Sequence, residues 1–305
     1  MANIAKYDTI LQSDLLVYNV MKDIMNVLEW IETNLDKQIP VSKLTNLVGC
    51  SHRYLSIVFR KTTGLSPAEY IRQRKITQAA FMLRESSRSV TEISLMYGFE
   101  HLNAFCRSFK NFTHKSPREY RNANVWDMSL FCPSATLSDI PCNTNFVYIK
   151  NKHLNVYRER KININYGINF FLSVTDGRIY PLNNLHDYLL DFIFDQNNKK
   201  KFIVFGGTIP GKNCDSELYT YIGEDKGVAN NKRNTVHIAN GTYIRFLFTG
   251  SPSEILTCHS WARGHGLHKY RILLRRGPSF TCFHSTSNPD IYISYYYLPC
   301  EIRQT

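Results

Sequence analysis

The chain has 305 residues, 43% of them hydrophobic and 20% charged, with a formal net charge of +12. That length permits two domains with cores of their own, and the hydrophobic content excludes disorder as the default. No apolar run reaches the length of a membrane span, and the first fourteen residues lack the charged and apolar blocks of a signal peptide. A cytoplasmic protein with no membrane partner is therefore expected. The eight cysteines are scattered with no CxxC pair, which predicts reduced, packed thiols rather than a disulfide framework.

In chain order, residues 1–20 pattern weakly and read as an extension. Val20, Ile24, Val27, Leu28, Ile31 and Leu35 then recur at helical spacing. Pro40 and Ser42 open a helix-turn-helix pattern, Leu44 to Gly49 followed by His52 to Lys61. A second copy follows about fifty residues later, Val90 to Gly98 and then His101 to Lys110. In each copy a Gly marks a turn needing positive φ, and the second helix has an apolar face: Leu55 and Phe59, or Phe105 and Phe109. Between the copies, Ser66, Pro67 and Glu69 predict a capped helix running to Glu85, with Tyr70, Ile71, Ile76, Ala79, Ala80 and Leu83 buried. A last helix is expected from Ser116. From Ile39 to Arg121 there are fourteen Lys/Arg against five acids, a basic block suited to a phosphate backbone. Paired motifs of this kind let one chain read two segments of a DNA major groove.

After Trp126 the composition shifts, and 123–150 reads as a linker with little regular structure. The remainder, 151–305, reads as two strand-helix-strand-strand units. The first comprises Tyr166–Thr175, the helix Leu182–Phe194, Phe202–Gly206 and Leu218–Ile222. The second comprises Thr242–Phe248, the helix Ser253–Trp261, Phe280–Phe283 and Ile291–Leu298. Side by side they predict a curved antiparallel sheet with helices on one face and a concave side able to hold a small molecule. The expected fold class is α + (α+β): an all-helical double helix-turn-helix domain over 21–122, then the sheet domain. Cys258-His259 with His265-x-x-His268 fits no standard zinc pattern, and the Gly264-His265-Gly266 stretch reads as a surface loop. The run Asn197 to Lys201 reads as a solvated helix end.

The paired motifs, with Tyr97-Gly98-Phe99, Phe105, Arg107, Phe109-Lys110 and Ser116-Pro117-Arg118-Glu119-Tyr120-Arg121, resemble the AraC/XylS family of bacterial transcription regulators, nearest its MarA/SoxS/Rob group. The trailing half resembles the GyrI-like effector domain found in Rob-type members, through Glu217-Leu218-Tyr219, Asn240-Gly241-Thr242-Tyr243, Arg275-Arg276-Gly277 and Tyr296-Tyr297-Leu298-Pro299. The resemblance implies a regulator of the activator kind, in the group's manner, that binds asymmetric promoter DNA as a monomer and touches RNA polymerase. It would be cytoplasmic and nucleoid-associated when bound. No cofactor, metal or catalytic residue is implied.

Carried over by position, the DNA-binding residues are His52, Arg53, Ser56, Ile57 and Arg60 in the first recognition helix. In the second they are His101, Leu102, Asn103, Cys106, Arg107 and Lys110, with Cys106 on the outward side. Arg53 and Ile57 stand where the group has Trp and Arg, and Leu102 and Asn103 where it has Gln, so an altered site preference follows. Arg53 suits a bidentate guanine contact, whereas Ile57 suits only a thymine methyl. The implied effector pocket comprises Phe280, Thr281, Phe283, Tyr295 and Tyr297. Thr281 and Tyr295 stand where related pockets carry acids. A cation then loses its charge partner, which leaves an uncharged or aromatic effector. The rival readings are a small-molecule-binding or hydrolytic protein run by the second half, and a nucleoid binder without sequence preference.

Overall fold

The computed structural model describes residues 20–136, 139–165, 185–195, 200–225 and 235–303. The N-terminal extension, the strand expected at Tyr166–Thr175 and Asn197–Lys199 lie outside them. The helical half runs α1 (20–33), α2 (Val41–Val48), α3 (His52–Thr63), α4 (Pro67–Glu85), α5 (Val90–Met96), α6 (Leu102–Thr113) and α7 (Pro117–Asn122).

Equivalent positions in its two units lie fifty residues apart and share their local chemistry. Ser66 and Ser116 each cap a helix whose third residue, Glu69 or Glu119, bonds back to the cap N–H, with Pro in the first turn. Thr63 and Thr113 each donate their hydroxyl to the carbonyl four residues back, 2.9 Å in both units. Next comes a left-handed residue, Gly64 in one unit and His114 in the other.

Leu28, Ile31, Leu44, Leu55, Phe59 and Tyr70 fill the first core, and Ile93, Tyr97, Phe105, Phe109 and Tyr120 belong to the second. Helix α4 serves both and is buried almost all round beyond Arg74. Burying it costs polar desolvation, which specific partners offset. Arg74 pairs with Glu32, both about 1% exposed, through Nη2–Oε2 at 2.7 Å, and donates from Nη1 to the Cys132 carbonyl. The Tyr70 hydroxyl adds a 2.7 Å bond to Glu32.

The segment expected as a linker instead carries structure, because its apolar residues have a surface to cover. Strand β1 (Val125–Asp127) is followed by a 3-10 turn, Met128–Leu130. Cys132 accepts Arg74 and donates its N–H to Thr77, so this stretch straps α4. Strand β2 (Asn143–Ile149) also begins inside it.

The second half comprises β3 (Lys152–Ile164), α8 (Leu185–Phe194), β4 (Lys201–Pro210), β5 (Ser216–Asp225), β6 (Thr235–Ile238), β7 (Gly241–Gly250), α9 (Pro252–Trp261), β8 (Ile272–Arg275), β9 (Ser279–Ser285) and β10 (Tyr292–Ile302). All its pairings among the described residues are antiparallel. The expected elements within the described residues are present; β2, β3, β6, β8 and β1 are additions. In register, β2 with β7 and β3 with β6 form one bent ladder, Ile149 opposite Gly241 and Lys152 opposite Ile238. Its corner is Asn151, left-handed at φ 52, whose N–H bonds the Asn240 side chain at 2.8 Å. Since β3 continues through β5, β4, β9 and β10 to β7, the sheet curls until its ends meet. Helices α8 and α9 cover the outside, where Phe192, Phe202, Ile255 and Phe283 pack together. The inside holds Leu154, Phe205, Tyr243, Phe280 and Cys282.

The two halves share one core. Phe81, Tyr120 and Trp126 pack in the same cluster as Phe246, Trp261, Leu274 and Leu298. Around it, Arg88 grips Asp215 through two bonds of 2.8 and 2.9 Å, and Thr208 and Ser216 bond Glu85 at the end of α4. Among the described residues, no helix is long and apolar enough to cross a membrane.

Candidate nucleic-acid interface

Helices α3 and α6 each bury one stripe and present the rest. Their spacing makes this unavoidable: Leu55 with Phe59, and Phe105 with Phe109, occupy i and i+4 on one face. His52, Arg53, Ile57 and Arg60 are exposed on α3, Ile57 at 60%, while Ser56 is half-buried at the stripe's edge. Leu102, Asn103, Arg107 and Lys110 are exposed on α6, with His101 exposed at its N-cap and making no capping bond.

Cys106 departs from its expected outward position. It stands fifty residues after Ser56, at the same edge, and is half-buried against the second core; burial pushes its thiol pKa up. Arg60 makes a loose 3.4 Å contact with Glu69, both exposed, and such a pair is worth little.

The outward face also carries Tyr54, 46% exposed, three residues before Ile57. Its signal in the sequence is that i, i+3 spacing on the side away from Leu55. Lys43, Lys61, Arg72, Lys115 and Arg118 are exposed as well.

The basic block divides into two roles. Nine of its fourteen cations are exposed: Lys43, Arg53, Arg60, Lys61, Arg72, Arg107, Lys110, Lys115 and Arg118. The others are structural. Arg74 and Arg88 hold carboxylates, and Lys75 donates to the carbonyls of Lys37 and Tyr97, where burial draws its pKa down to about 8. Arg84 stacks 3.5 Å over the Trp126 ring, and Arg121 bonds the Leu83 and Arg88 carbonyls.

Strand alternation splits the expected effector pocket. Phe280, Tyr295 and Tyr297 lie in or against the inner cluster, with Phe280 and Tyr297 stacked at 4.2 Å. Thr281 and Phe283 alternate with Phe280 on the strand and so face the helices, Phe283 packing with Phe192 and Ile255. The inside holds a cation instead: the Arg245 guanidinium lies 5.4 Å from the centre of the Tyr295 ring and bonds Asn145 at 2.9 Å.

The supposed surface loop around Gly264-His265-Gly266 is a π turn, Ala262–Gly266. Gly266 lies under Trp261, whose ring a Cβ there would approach to 2.8 Å. His265 meets Asp139 at 3.1 Å, and His259 is half-buried, stacked on Tyr296 at 4.1 Å. Among the described residues no group of three or more His, Cys, Asp or Glu is arranged to hold a metal.

A family model described as a helix-turn-helix domain matches residues 44–123. The chain is 35% identical over 113 residues to the putative HTH-type transcriptional regulator YkgA of Escherichia coli, covering 37% of this chain and 47% of that protein. To the transposon Tn10 TetD protein of Escherichia coli it is 37% identical over 105 residues, 34% of this chain and 76% of that one. To the multiple antibiotic resistance protein MarA of Escherichia coli it is 37% identical over 108 residues, 35% of this chain and 85% of MarA. The chain thus spans about half the length of YkgA and most of MarA, and the likeness is confined to its helical half. With both helix-turn-helix units folded on one shared helix and most of MarA's length matched, the chain belongs to the AraC/XylS family of DNA-binding transcription regulators.

Proposed function

We propose that the chain activates transcription by placing α3 and α6 in successive major grooves of one promoter duplex. The observation that carries this reading is the fifty-residue repeat, which sets two alike helices at the two ends of α4 with their apolar stripes buried and polar, basic faces outward. Nineteen residues of α4 make a rod of about 28 Å, and with the flanking motifs this suits the ~34 Å repeat of the groove. The exposed lysines and arginines supply affinity through phosphates, and Arg53, Asn103 and Arg107 supply specificity at base edges.

The curled sheet is the regulatory half in this reading. Its aromatic interior takes an uncharged or aromatic small molecule, since the Arg245 guanidinium over Tyr295 disfavours a cation. The family likeness supports contact with RNA polymerase as part of this reading.

The test is selection of the full chain on a pool of random duplexes near physiological salt, followed by sequencing. Two short enriched blocks about one helical turn apart support the reading. Salt-sensitive retention with no enrichment would leave a binder without sequence preference and overturn it.

A further inference from the structure

We infer that His153 and His237 form a two-imidazole site for a divalent late transition metal (zinc, nickel or copper) on the outer face of the curled sheet. The two histidines are far apart in sequence, and the β3–β6 ladder sets them directly opposite each other. Lys152 faces Ile238 on one side of the pair, and Leu154 faces Val236 on the other. Residues opposite one another in an antiparallel pair share a face, with Cβ atoms about 4.5–5.5 Å apart.

The face they share is the outer one. Leu154, Val156, Val236 and Ile238 belong to the inner cluster, so strand alternation turns both histidines outward. His153 is half-buried and His237 exposed, which leaves the pair open to an ion from solution. Lys152, next to His153 in the chain, takes the inner face and pairs there with Asp225. Its ammonium therefore does not compete for the same space.

The separation of the rings is what makes the pair a chelate. Their centres lie 5.0 Å apart, with the ring planes at 56° to each other. Two imidazoles bound to one tetrahedral ion, each through a nitrogen at about 2.0–2.1 Å, set their ring centres roughly 5 Å apart. The strand pair thus holds both donors at a binding distance, and the second bond forms within the chain. Imidazole selects zinc, copper and nickel, whereas magnesium and calcium favour oxygen ligands. Among the described residues no third His, Cys, Asp or Glu completes the set, so water fills the remaining positions and the ion stays exchangeable.

The position gives the ion a structural effect. Strand β6 spans four residues, and among the described residues it pairs only with β3. It leads past Asn240, at the corner of the bent ladder, into β7. A metal across His153 and His237 would pin β6 to β3 beside that corner, where the sheet closes on itself.

The experiment titrates the untagged full chain, kept reduced, with nickel chloride in a calorimeter near neutral pH. Histidine acylation by diethyl pyrocarbonate is then mapped by mass spectrometry with and without the ion. Saturable nickel binding that protects His153 and His237 together, while exposed His52, His101 and His114 react as before, supports the site. Magnesium at the same concentration should protect neither. His237→Asn should weaken nickel binding on the order of a hundredfold and restore the reactivity of His153. His114→Asn, at a left-handed position that Asn tolerates, should change neither readout. Should His237→Asn misfold, the protection map of the unsubstituted chain decides alone. Protection of neither histidine, of only one, or of His52 and His101 to the same degree would overturn the inference, as would undiminished nickel affinity in folded His237→Asn. None of these readouts involves DNA, so their failure leaves the DNA reading untouched.

Discussion

Arg107 is exposed on α6, one turn from Asn103, and aligned with neither core. If its fork reads a base, Arg107→Ala should cost about 1–3 kcal/mol on a selected site and little on random duplex. Titration of both duplexes by the same variant checks this; equal losses would make Arg107 a phosphate contact. Gly98 poses a different residue-scale constraint. It sits at φ +67, and a Cβ there would lie 2.9 Å from the Lys37 carbonyl carbon, whereas Gly49, at φ +63, has open space around its missing Cβ. Gly49→Ala should therefore cost only the left-handed strain, about 1–2 kcal/mol. Gly98→Ala adds a clash that fixed backbone cannot relieve, and urea midpoints should show the larger loss there. The exchange of Gly64 for His114 at matching positions shows that the fold accepts that strain where nothing else intrudes.

At the scale of elements, α9 holds its one stacked histidine in the neutral form. His259 bonds Ser294 at 3.0 Å, and burial with the Arg263 charge draws its pKa down to about 3. The unfolded chain, near the ordinary 6.5, then binds a proton that the folded chain refuses. This contribution is complete above about pH 6.5 and declines as pH falls toward 3, by at most about 1.4 kcal/mol per pH unit. His259→Gln should lose less stability than the unsubstituted chain between pH 7 and pH 5, as measured by denaturant midpoint; parallel losses would refute this.

The strands teach a related lesson about legibility. β4, β5, β7, β9 and β10 announce themselves through β-branched and aromatic runs. β3 does not, because Arg158, Glu159, Arg160 and Lys161 dilute its alternation and a bulge between Val156 and Arg158 shifts it. The aromatic character of four of the five expected pocket residues is legible in the sequence but their face is not, since moving from Phe280 to Thr281 crosses the sheet.

For the whole molecule, the shared core around Phe81, Trp126, Phe246 and Trp261 predicts that the halves unfold together. Calorimetry of the full chain should give a single transition; two resolved transitions would mean the halves are independently stable. Nine exposed cations of the basic block also bound the salt response. The slope of log K against log salt on duplex DNA should be no steeper than about −8, at about −0.9 per phosphate neutralised. A steeper slope would require cations from outside this block at the interface.

The local and periodic part is legible from the chain alone: the doubled helix-turn-helix, its caps, the apolar stripes of α3, α4 and α6, and the strands with clear alternation. These depend on spacing and turn chemistry within a few residues, which the chain displays directly. Only the folded arrangement reveals which cations face solvent, which aromatics share the sheet's interior, and that the apparent linker straps α4. Each of these depends on contacts between residues far apart in the chain, and composition carries no record of which distant surface will cover a given side chain.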